Sequence, residues 1–436
     1  MRAMALVPIR ATRSERAFRP SAPALLLALS AAVLVAPVTG ARSGAPTPED
    51  ERVLVEWPDG RVERTASLAI EPAAAGAFAP LRIVTLAPRA EPRPVESAVA
   101  GDDRVQVTLW NGDRVAGRSA PGLGDAEHVG LLVGGSGDLA LRLPIDVLAR
   151  LDFPGRAAAA GTEELTAPTE GDRLYRLAGT GVDVLDGTLD GFDERGPVFE
   201  SRLGLRSYGW NEVVALFVEP IDPPDSTRGL ERAVALDLVG GGRLHGLLDA
   251  FDGTGYRLRL PWDEVVVAPL ESVLVCSTDD GRLAYLSDRE PDAVTGGSAF
   301  GDDLGLVFEP LRDRAVHGEA LRAGGRVWPR GIGVQAPLSL AFDLEPGAFD
   351  ELRGLVAIDA STADLGARGA AVFAVLGDGK ELWRSEIVRG GRPPVELPVL
   401  DVSEVARLEL VVEMGPDLNL GDRADWLDVR LVERPD

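Results

Sequence analysis

Two carboxylates, an arginine and a tryptophan lie within six residues near the C-terminus, in the sequence GDRADW that ends at Trp426. Carboxylates such as Asp422 and Asp425 accept hydrogen bonds from sugar hydroxyls, or bind calcium through oxygen. An indole such as that of Trp426 packs well on the C–H face of a sugar ring. The alternative is structural, with Trp426 in the core of a final strand and the two carboxylates solvated or capping turns.

Patterns for catalysis or zinc binding are weak elsewhere in the chain. The three histidines, His128, His245 and His317, stand far apart in the sequence, so no zinc-binding spacing arises and we expect each at the surface. The GGSGD segment at residues 134–138 lacks the second half of a G-x-S-x-G nucleophile elbow. The 69 acidic residues single out no carboxylate pair for glycoside hydrolysis. We therefore expect a binding protein rather than an enzyme.

The chain of 436 residues is acidic, with a formal net charge of -24. A phosphate backbone or an anionic lipid surface requires clustered cations, so neither nucleic acid nor an anionic membrane is an expected partner. The chain has one cysteine, Cys276, which excludes an intrachain disulfide. Because Cys276 lies in an apolar run, we expect it to be a buried structural thiol.

Residues 1–41 are predicted to be a signal peptide. A basic stretch precedes an apolar run at 24–38, and small residues at 39–41 fit a signal-peptidase site. Pro37 ends the run short of the roughly twenty residues that cross a bilayer, although an uncleaved anchor is the alternative. We therefore expect a secreted or periplasmic protein of a bacterial cell envelope, with no integral membrane span after cleavage of the signal.

The elements that must position these residues are predicted to be β-strands, because short runs of Val, Leu and Ile alternate with polar residues between glycines. Three segments form a degenerate repeat of strand, tight turn and second strand. The alignment places Gly117, Gly187 and Gly246 in equivalent positions, as expected where a strand bends too sharply for a side chain. Each copy of about fifty residues would hold four or five strands, which favours a small SH3-like or Sm-like barrel.

The predicted order is a partial β repeat, three small β-barrel repeats and a β-sandwich, which makes the fold class all-β. After the signal peptide, the predicted bounds are 51–90, 103–154, 172–220, 232–278 and 282–436. Segments rich in Pro, Ala and Gly at 87–103, 154–171 and 219–229 are predicted linkers. The tryptophans of the repeats are expected to pack in their cores: Trp57, Trp110, Trp210 and Trp262.

The last part of the chain has roughly eight longer strand signals, a number that suits a two-sheet jelly-roll sandwich. Asp378 and Gly379 predict a hairpin turn between two of these strands.

Three blocks at 324–344, 373–391 and 408–431 resemble, in order and spacing, the NPCBM family of carbohydrate-binding modules. The resemblance rests on G-I-G from Gly331, I-D ending at Asp359, DGK from Asp378 and GDxADW ending at Trp426. It implies a galactose-binding-like sandwich that binds a galactose-type glycan without catalysis, and it makes structural calcium a candidate cofactor. The residues that it indicates for carbohydrate binding are Gln335, Asp359, Asp422, Arg423, Asp425 and Trp426.

Two positions depart from the family pattern, which usually has histidine where this chain has Gln335 and Arg423. Both side chains hydrogen-bond hydroxyls, but neither reproduces an imidazole ring. The leading hypothesis is therefore a non-catalytic, extracytoplasmic glycan-binding protein. The alternative is a structural or assembly protein of the cell envelope whose sandwich has become a protein-interaction domain, with envelope proteins as its partners.

Overall fold

The computed structural model describes residues 52–65, 68–70, 80–86, 104–133, 139–162, 165–179, 181–220, 225–296, 308–365, 369–416 and 421–434. The predicted signal peptide and the GGSGD segment lie outside these residues, as does the whole of the predicted linker at 87–103. Within the described ranges, no helix has both the length and the apolar character needed to cross a membrane.

The N-terminal part of the described chain is built from antiparallel strands in a partial unit and three five-stranded copies. The partial unit consists of β1 (Val53–Glu56), β2 (Val62–Thr65) and β3 (Arg82–Thr85), with β1 paired to both others. The first copy consists of β4 (Arg104–Leu109), β5 (Arg114–Ser119), β6 (His128–Val133), β7 (Leu139–Pro144) and β8 (Leu148–Asp152). The second consists of β9 (Asp172–Ala178), β10 (Gly181–Phe192), β11 (Pro197–Ser201), β12 (Gly204–Ser207) and β13 (Val213–Phe217). The third consists of β14 (Ala233–Leu238), β15 (Gly242–Phe251), β16 (Gly255–Arg259), β17 (Val265–Pro269) and β18 (Val273–Thr278).

All three copies pair their strands in the same order. The fifth strand pairs with the first, and the first four follow one another as neighbours. A single turn of 3-10 helix precedes the last strand in the first and third copies, at Ile145–Val147 and Leu270–Ser272. This shared topology is that of the small barrel expected from the repeat.

The three aligned glycines occupy the second strand of each copy, close against the third strand. A Cβ atom would lie 2.4 Å from a backbone carbonyl oxygen of the third strand at Gly117, 1.9 Å at Gly187 and 2.8 Å at Gly246. No side chain fits at such distances without a shift of the backbone. The three glycines aligned from the sequence are therefore required for the same steric reason, the close approach of the second and third strands.

The copies are joined to one another rather than separated by free linkers. Backbone pairing connects β8 to β13, β5 to β15, and β3 to β18, and one hydrophobic core runs through all the copies. The predicted linker at 154–171 contains a short helix, α1 (Pro154–Ala159), on which Arg156 and Ala157 are buried. Arg156 donates to the backbone carbonyl oxygens of Trp210 and Val213, which ties this part of the segment to the second copy.

One histidine and one tryptophan also depart from their predicted environments. His245 is buried rather than solvated, and its Nδ1 lies against the buried carboxylate of Asp113 from the turn of the first copy. Trp110, predicted to pack in the core, is instead 41% exposed at the same turn. His245 is buried by a contact between two copies, and the sequence pattern within one copy cannot predict such a contact.

The C-terminal part forms a two-sheet sandwich. Its strands are β19 (Leu283–Tyr285), β20 (Ala293–Gly296), β21 (Leu311–Arg312), β22 (Leu321–Ala323), β23 (Arg326–Trp328), β24 (Gly331–Gln335), β25 (Leu338–Asp343), β26 (Glu351–Ile358), β27 (Ala370–Gly377), β28 (Lys380–Arg384), β29 (Val388–Arg389), β30 (Val395–Glu396), β31 (Leu400–Asp401), β32 (Arg407–Met414) and β33 (Arg423–Val432). The first sheet has the order β21-β24-β33-β26-β30, with β19 on β33 and β31 on β26. The second has the order β20-β25-β32-β27-β28, with β29 on β27, and β22 and β23 form a separate hairpin.

The sandwich encloses its own hydrophobic core between the two sheets. Asp378 and Gly379 have φ of 50° and 75° in the turn between β27 and β28, which confirms the predicted hairpin. The all-β fold class is likewise confirmed by the strands on both sides of residue 282. The domain boundaries stay a prediction.

The sandwich is docked on the partial unit through a buried cluster of six alternating charges. Glu56 on β1 accepts hydrogen bonds from Arg353 at 2.6 Å and from Arg430 at 2.9 Å. Arg82 on β3 contacts Glu56 at 2.9 Å and donates to Asp428 at 2.6 Å. Glu351 completes the set by accepting from Arg353. Three guanidinium groups thus balance three carboxylates at the contact between the sandwich and the partial unit.

Candidate functional site

Three of the six predicted site residues meet at one end of the first sheet of the sandwich. Gln335 ends β24 directly opposite Arg423, which begins β33. Asp359 follows β26 on the other side of β33, and its backbone N–H donates to the carbonyl oxygen of Arg423 at 2.9 Å. Antiparallel pairing therefore gathers residues that are far apart in the sequence.

Alternation along β33 divides the GDRADW motif between the two faces of the sheet. Ala424 and Trp426 belong to the core between the sheets, whereas Arg423 and Asp425 alternate with them. The ring of Trp426 is fully buried and meets Phe373 edge-on, with centroids 5.2 Å apart. Trp426 offers no exposed ring face, so its predicted stacking on a sugar is corrected to a core role.

Asp422 is also structural. Its carboxylate is fully buried and accepts hydrogen bonds from the backbone amides of Ala370 at 2.7 Å and of Gly415 at 3.4 Å. These contacts fix the ends of β27 and β32 in the opposite sheet. Asp422 therefore caps two strands, and the prediction that it binds sugar hydroxyls is corrected as well.

Asp359 and Asp425 form a buried carboxyl pair beneath the edge of the sheet. Each residue is about 1% exposed. Asp359 accepts hydrogen bonds from the backbone amides of Ser361 at 2.9 Å and of Arg322 at 3.0 Å. Burial and the neighbouring charge of Asp359 raise the pKa of Asp425 well above its usual range. The pair supports the surface residues from below rather than facing solvent.

Gln335 and Arg423 have half-buried side chains at this end, and so does Ser361. Arg423 donates through Nη1 to the hydroxyl oxygen of Ser361 at 3.0 Å. Ser361 lies in the 3-10 helix Ala360–Leu365, which begins just after Asp359. The amide, guanidinium and hydroxyl groups together offer both donors and acceptors without a net negative charge, a set suited to neutral hydroxyl groups. Sequence reasoning misses Ser361, whose only signal is its position two residues after Asp359.

Structural calcium in the sandwich stays a prediction. In the ranges that the structure covers, no group of three or more His, Cys, Asp and Glu side chains is placed to hold a metal ion. Calcium takes six to eight oxygen ligands. Asp359 and Asp425 supply two carboxyls, and the oxygens of Asp359 already accept amide hydrogen bonds.

Comparison with known proteins gives several structural likenesses and no match among the curated proteins. A structure of the CBM51-2 and INT domains of ZmpB from Clostridium perfringens is 26% identical, with a TM-score of 0.31. The match covers 35% of this chain and 31% of that one, so this chain spans less than a third of it. The CBM51 of Clostridium perfringens GH95, in complex with methyl-galactose, is 22% identical with a TM-score of 0.30, covering 34% of this chain and 99% of that one.

The family comparison falls on the sandwich. The family model described as NPCBM/NEW2 domain matches residues 282–432, the region in which the sequence blocks and the polar end of the first sheet both lie. The resemblance drawn from the sequence is thereby confirmed for the C-terminal region of the chain.

Proposed function

We propose that the C-terminal sandwich binds a glycan without catalysis, through the polar end of its first sheet, outside the cytoplasm. The observation that carries the proposal is the NPCBM/NEW2 match over residues 282–432, combined with the half-buried pair Gln335 and Arg423. The resemblance of the sequence implies a galactose-type sugar, so a galactoside is the first ligand class to test.

The binding residues in this proposal are fewer than the six that the resemblance indicates. Gln335, Arg423 and Ser361 contact the sugar hydroxyls, while Asp359 and Asp425 hold the loop and strand that carry them. Because imidazole is absent, we expect hydroxyl recognition by amide and guanidinium groups and a specificity that differs from that of histidine-bearing members.

The non-catalytic part of the proposal is supported by the burial of the carboxyl pair. The pKa of Asp425 is raised by burial and by the neighbouring Asp359. In an open cleft, such a pair of carboxyl groups would suit general acid–base catalysis at a glycosidic bond. Both carboxyls are about 1% exposed, so a sugar cannot reach them in this arrangement. The extracytoplasmic location is supported by the apolar run at 24–38, which lies outside the described residues.

The experiment is a glycan-array screen of the full-length chain, run with calcium and with chelator. Arg423→Ala removes the guanidinium, and Arg392→Ala is the matched control because Arg392 is an exposed arginine of the same sandwich. We expect the unmodified chain and Arg392→Ala to bind the same glycans, and Arg423→Ala to lose them. A folded chain that binds nothing, or binding that Arg423→Ala leaves intact, contradicts the proposal; the chelator arm decides whether calcium contributes.

A second candidate function, assembly with envelope proteins, is favoured by exposed apolar side chains on the second barrel copy. Val184 is 48% exposed, Leu203 50% and Leu205 56%, and all three lie on β10 or the β11–β12 hairpin. Exposed apolar clusters are typical of protein contact surfaces. Two results together would favour this function. The glycan array would show no binding, and the double variant Leu203→Ser/Leu205→Ser would lose an envelope protein that cross-links to the unmodified chain.

A further inference from the structure

A cavity of about 290 Å³ lies at the joint between the first and second barrel copies. The β5–β6 loop of the first copy forms one side, and the β10–β11 turn with Trp210 forms the other. Its volume is at the lower limit of about 300 Å³ for small-molecule sites, which fits one sugar ring better than a longer ligand. No sequence motif indicates this site, because its two sides are some seventy residues apart.

The two sides of the cavity are held firmly against each other. The backbone N–H of Phe192 donates to the carbonyl oxygen of Ala126 across the joint at 3.0 Å. A Cβ atom at Gly191, where φ is +155°, would lie 2.7 Å from that same oxygen, so the close approach requires glycine. The cavity is therefore a fixed feature of the joint.

The apolar surface of the cavity is a braced indole. Trp210 stacks on Phe192 with centroids 5.5 Å apart and an angle of 16° between the rings. Its backbone is fixed on both sides, because its N–H donates to the carbonyl oxygen of Arg195 at 2.7 Å and its own carbonyl oxygen accepts from Arg156. A rigid, partly exposed aromatic ring of this kind is suited to packing against the C–H face of a sugar.

The polar groups of the cavity are mostly carboxylates, from Asp125, Asp193 and Glu194, together with His128. The hydrogen bond from His128 Nδ1, at 2.7 Å, lowers the pKa of Asp125 to about 2. Burial by itself would raise the pKa of Asp193. Hydrogen bonds from the Ser207 hydroxyl and from two backbone amides outweigh burial, so the pKa of Asp193 is also lowered. Arg142 pairs with Asp125, which leaves the cavity with a net negative charge. Ionised carboxylates accept hydrogen bonds and repel anions.

We propose that this joint is a second carbohydrate site, which takes a hexosamine unit with a free ammonium group. The indole of Trp210 packs on the apolar face of the ring, and the carboxylates of Asp193 and Glu194 accept from the ammonium group and the hydroxyls. An N-acetylated sugar lacks the charge, and a uronic acid is repelled. The site does not depend on the glycan proposed for the sandwich.

The test is calorimetric titration of the full-length chain with a trimer of β-1,4-linked glucosamine at mildly acidic pH, where the amines are protonated. The N-acetylated trimer is the neutral counterpart. We expect the charged trimer to bind about tenfold or more tightly than the neutral one, and salt to weaken its binding. Equal binding of the two trimers, or no binding of either, overturns the proposal.

Variants locate the binding. Trp210→Ala should lower the affinity for the charged trimer by about tenfold or more. Trp110→Ala, which removes an exposed tryptophan outside the cavity, and Arg423→Ala in the sandwich should leave it unchanged. If Trp210→Ala lowers the melting temperature, Glu194→Gln carries the test, because Glu194 is exposed and its loss of charge should weaken the charged trimer selectively. Unchanged affinity in both variants places the trimer elsewhere and contradicts the proposal.

Discussion

The indole of Trp426 fills the centre of the sandwich, edge-on to Phe373 from the opposite sheet. Replacing it with alanine leaves a large cavity that the two sheets cannot close. We expect Trp426→Ala to lower the free energy of unfolding by about 3–5 kcal/mol, measured by denaturant titration. Trp426→Phe, which keeps most of the buried ring, should lose less. A fully stable Trp426→Ala that has merely lost glycan binding would show that the ring faces a ligand after all.

The carboxyl of Asp425 predicts a pH dependence of stability. Because its folded pKa is raised, its stabilising contribution is complete below the unfolded value of about 4 and is lost as the pH rises through the folded value. In Asp425→Asn the amide is neutral at every pH. The free energy of unfolding should therefore decrease less in the variant than in the unmodified chain as the pH rises above about 4.

The control for this experiment is Glu396→Gln, which removes an exposed carboxylate of the same sandwich and should leave the pH profile unchanged. Parallel pH profiles for the unmodified chain and Asp425→Asn would mean that Asp425 is ionised in the folded protein.

At the scale of single elements, the second strand of each barrel copy depends on its glycine. The distance that a Cβ atom would keep from the third strand is shortest at Gly187, 1.9 Å, and longest at Gly246, 2.8 Å. We expect Gly187→Ala to destabilise the chain by about 1–3 kcal/mol and Gly246→Ala by less, in thermal or denaturant unfolding. Gly181→Ala on the same strand β10 is the control, since a Cβ there meets nothing within 4 Å. Equal stability of Gly187→Ala and Gly181→Ala would argue against the close strand approach.

Elements are the part of the molecule most open to prediction from sequence. The glycine alignment and the turn at Asp378 follow from local rules, because turn chemistry and strand alternation act within a few residues. The site is less predictable for a related reason. Because the residues of GDRADW are adjacent in the sequence, they suggest a single binding site. In the structure, alternation along β33 places Trp426 in the core and Arg423 on the opposite face of the sheet.

At the scale of the whole molecule, the buried charge cluster binds the sandwich to the partial unit. It joins residues as far apart as Glu56 and Arg430, separated by 374 positions, which no local pattern could reveal. The docking contact at Asp428 to Arg430 lies roughly 20 Å along β33 from Arg423, at about 3.3 Å per residue. The partial unit therefore contacts the sandwich on the half of β33 that lies away from the proposed glycan site.

This cluster predicts both a loss of stability and its pH dependence. Burial alone would raise the pKa of Glu56, but Arg430 and Arg82 lower it to about 2. Its contribution is therefore present above the unfolded value of about 4.3 and is lost as the pH falls toward about 2. Glu56→Gln should lower the free energy of unfolding by about 3–5 kcal/mol near neutral pH, and the difference from the unmodified chain should shrink in acid.

The matched control is Glu271→Gln, which removes the partner of Arg52 from an exposed ion pair and should lower stability by about 1 kcal/mol or less. Calorimetry provides the readout: one cooperative transition for the unmodified chain, and separate transitions for the barrels and the sandwich in Glu56→Gln. A single unshifted transition in that variant would contradict a stabilising role for the cluster.

Glycan binding by the sandwich is tested most sharply by calorimetric titration of the strongest array glycan into the full-length chain, beside Arg423→Ala, Arg392→Ala and Trp210→Ala. We predict saturable binding by the unmodified chain and a loss of about tenfold or more in affinity for Arg423→Ala alone. Undiminished affinity in Arg423→Ala, with the chain shown to be folded, would contradict glycan binding at the polar end of the sandwich.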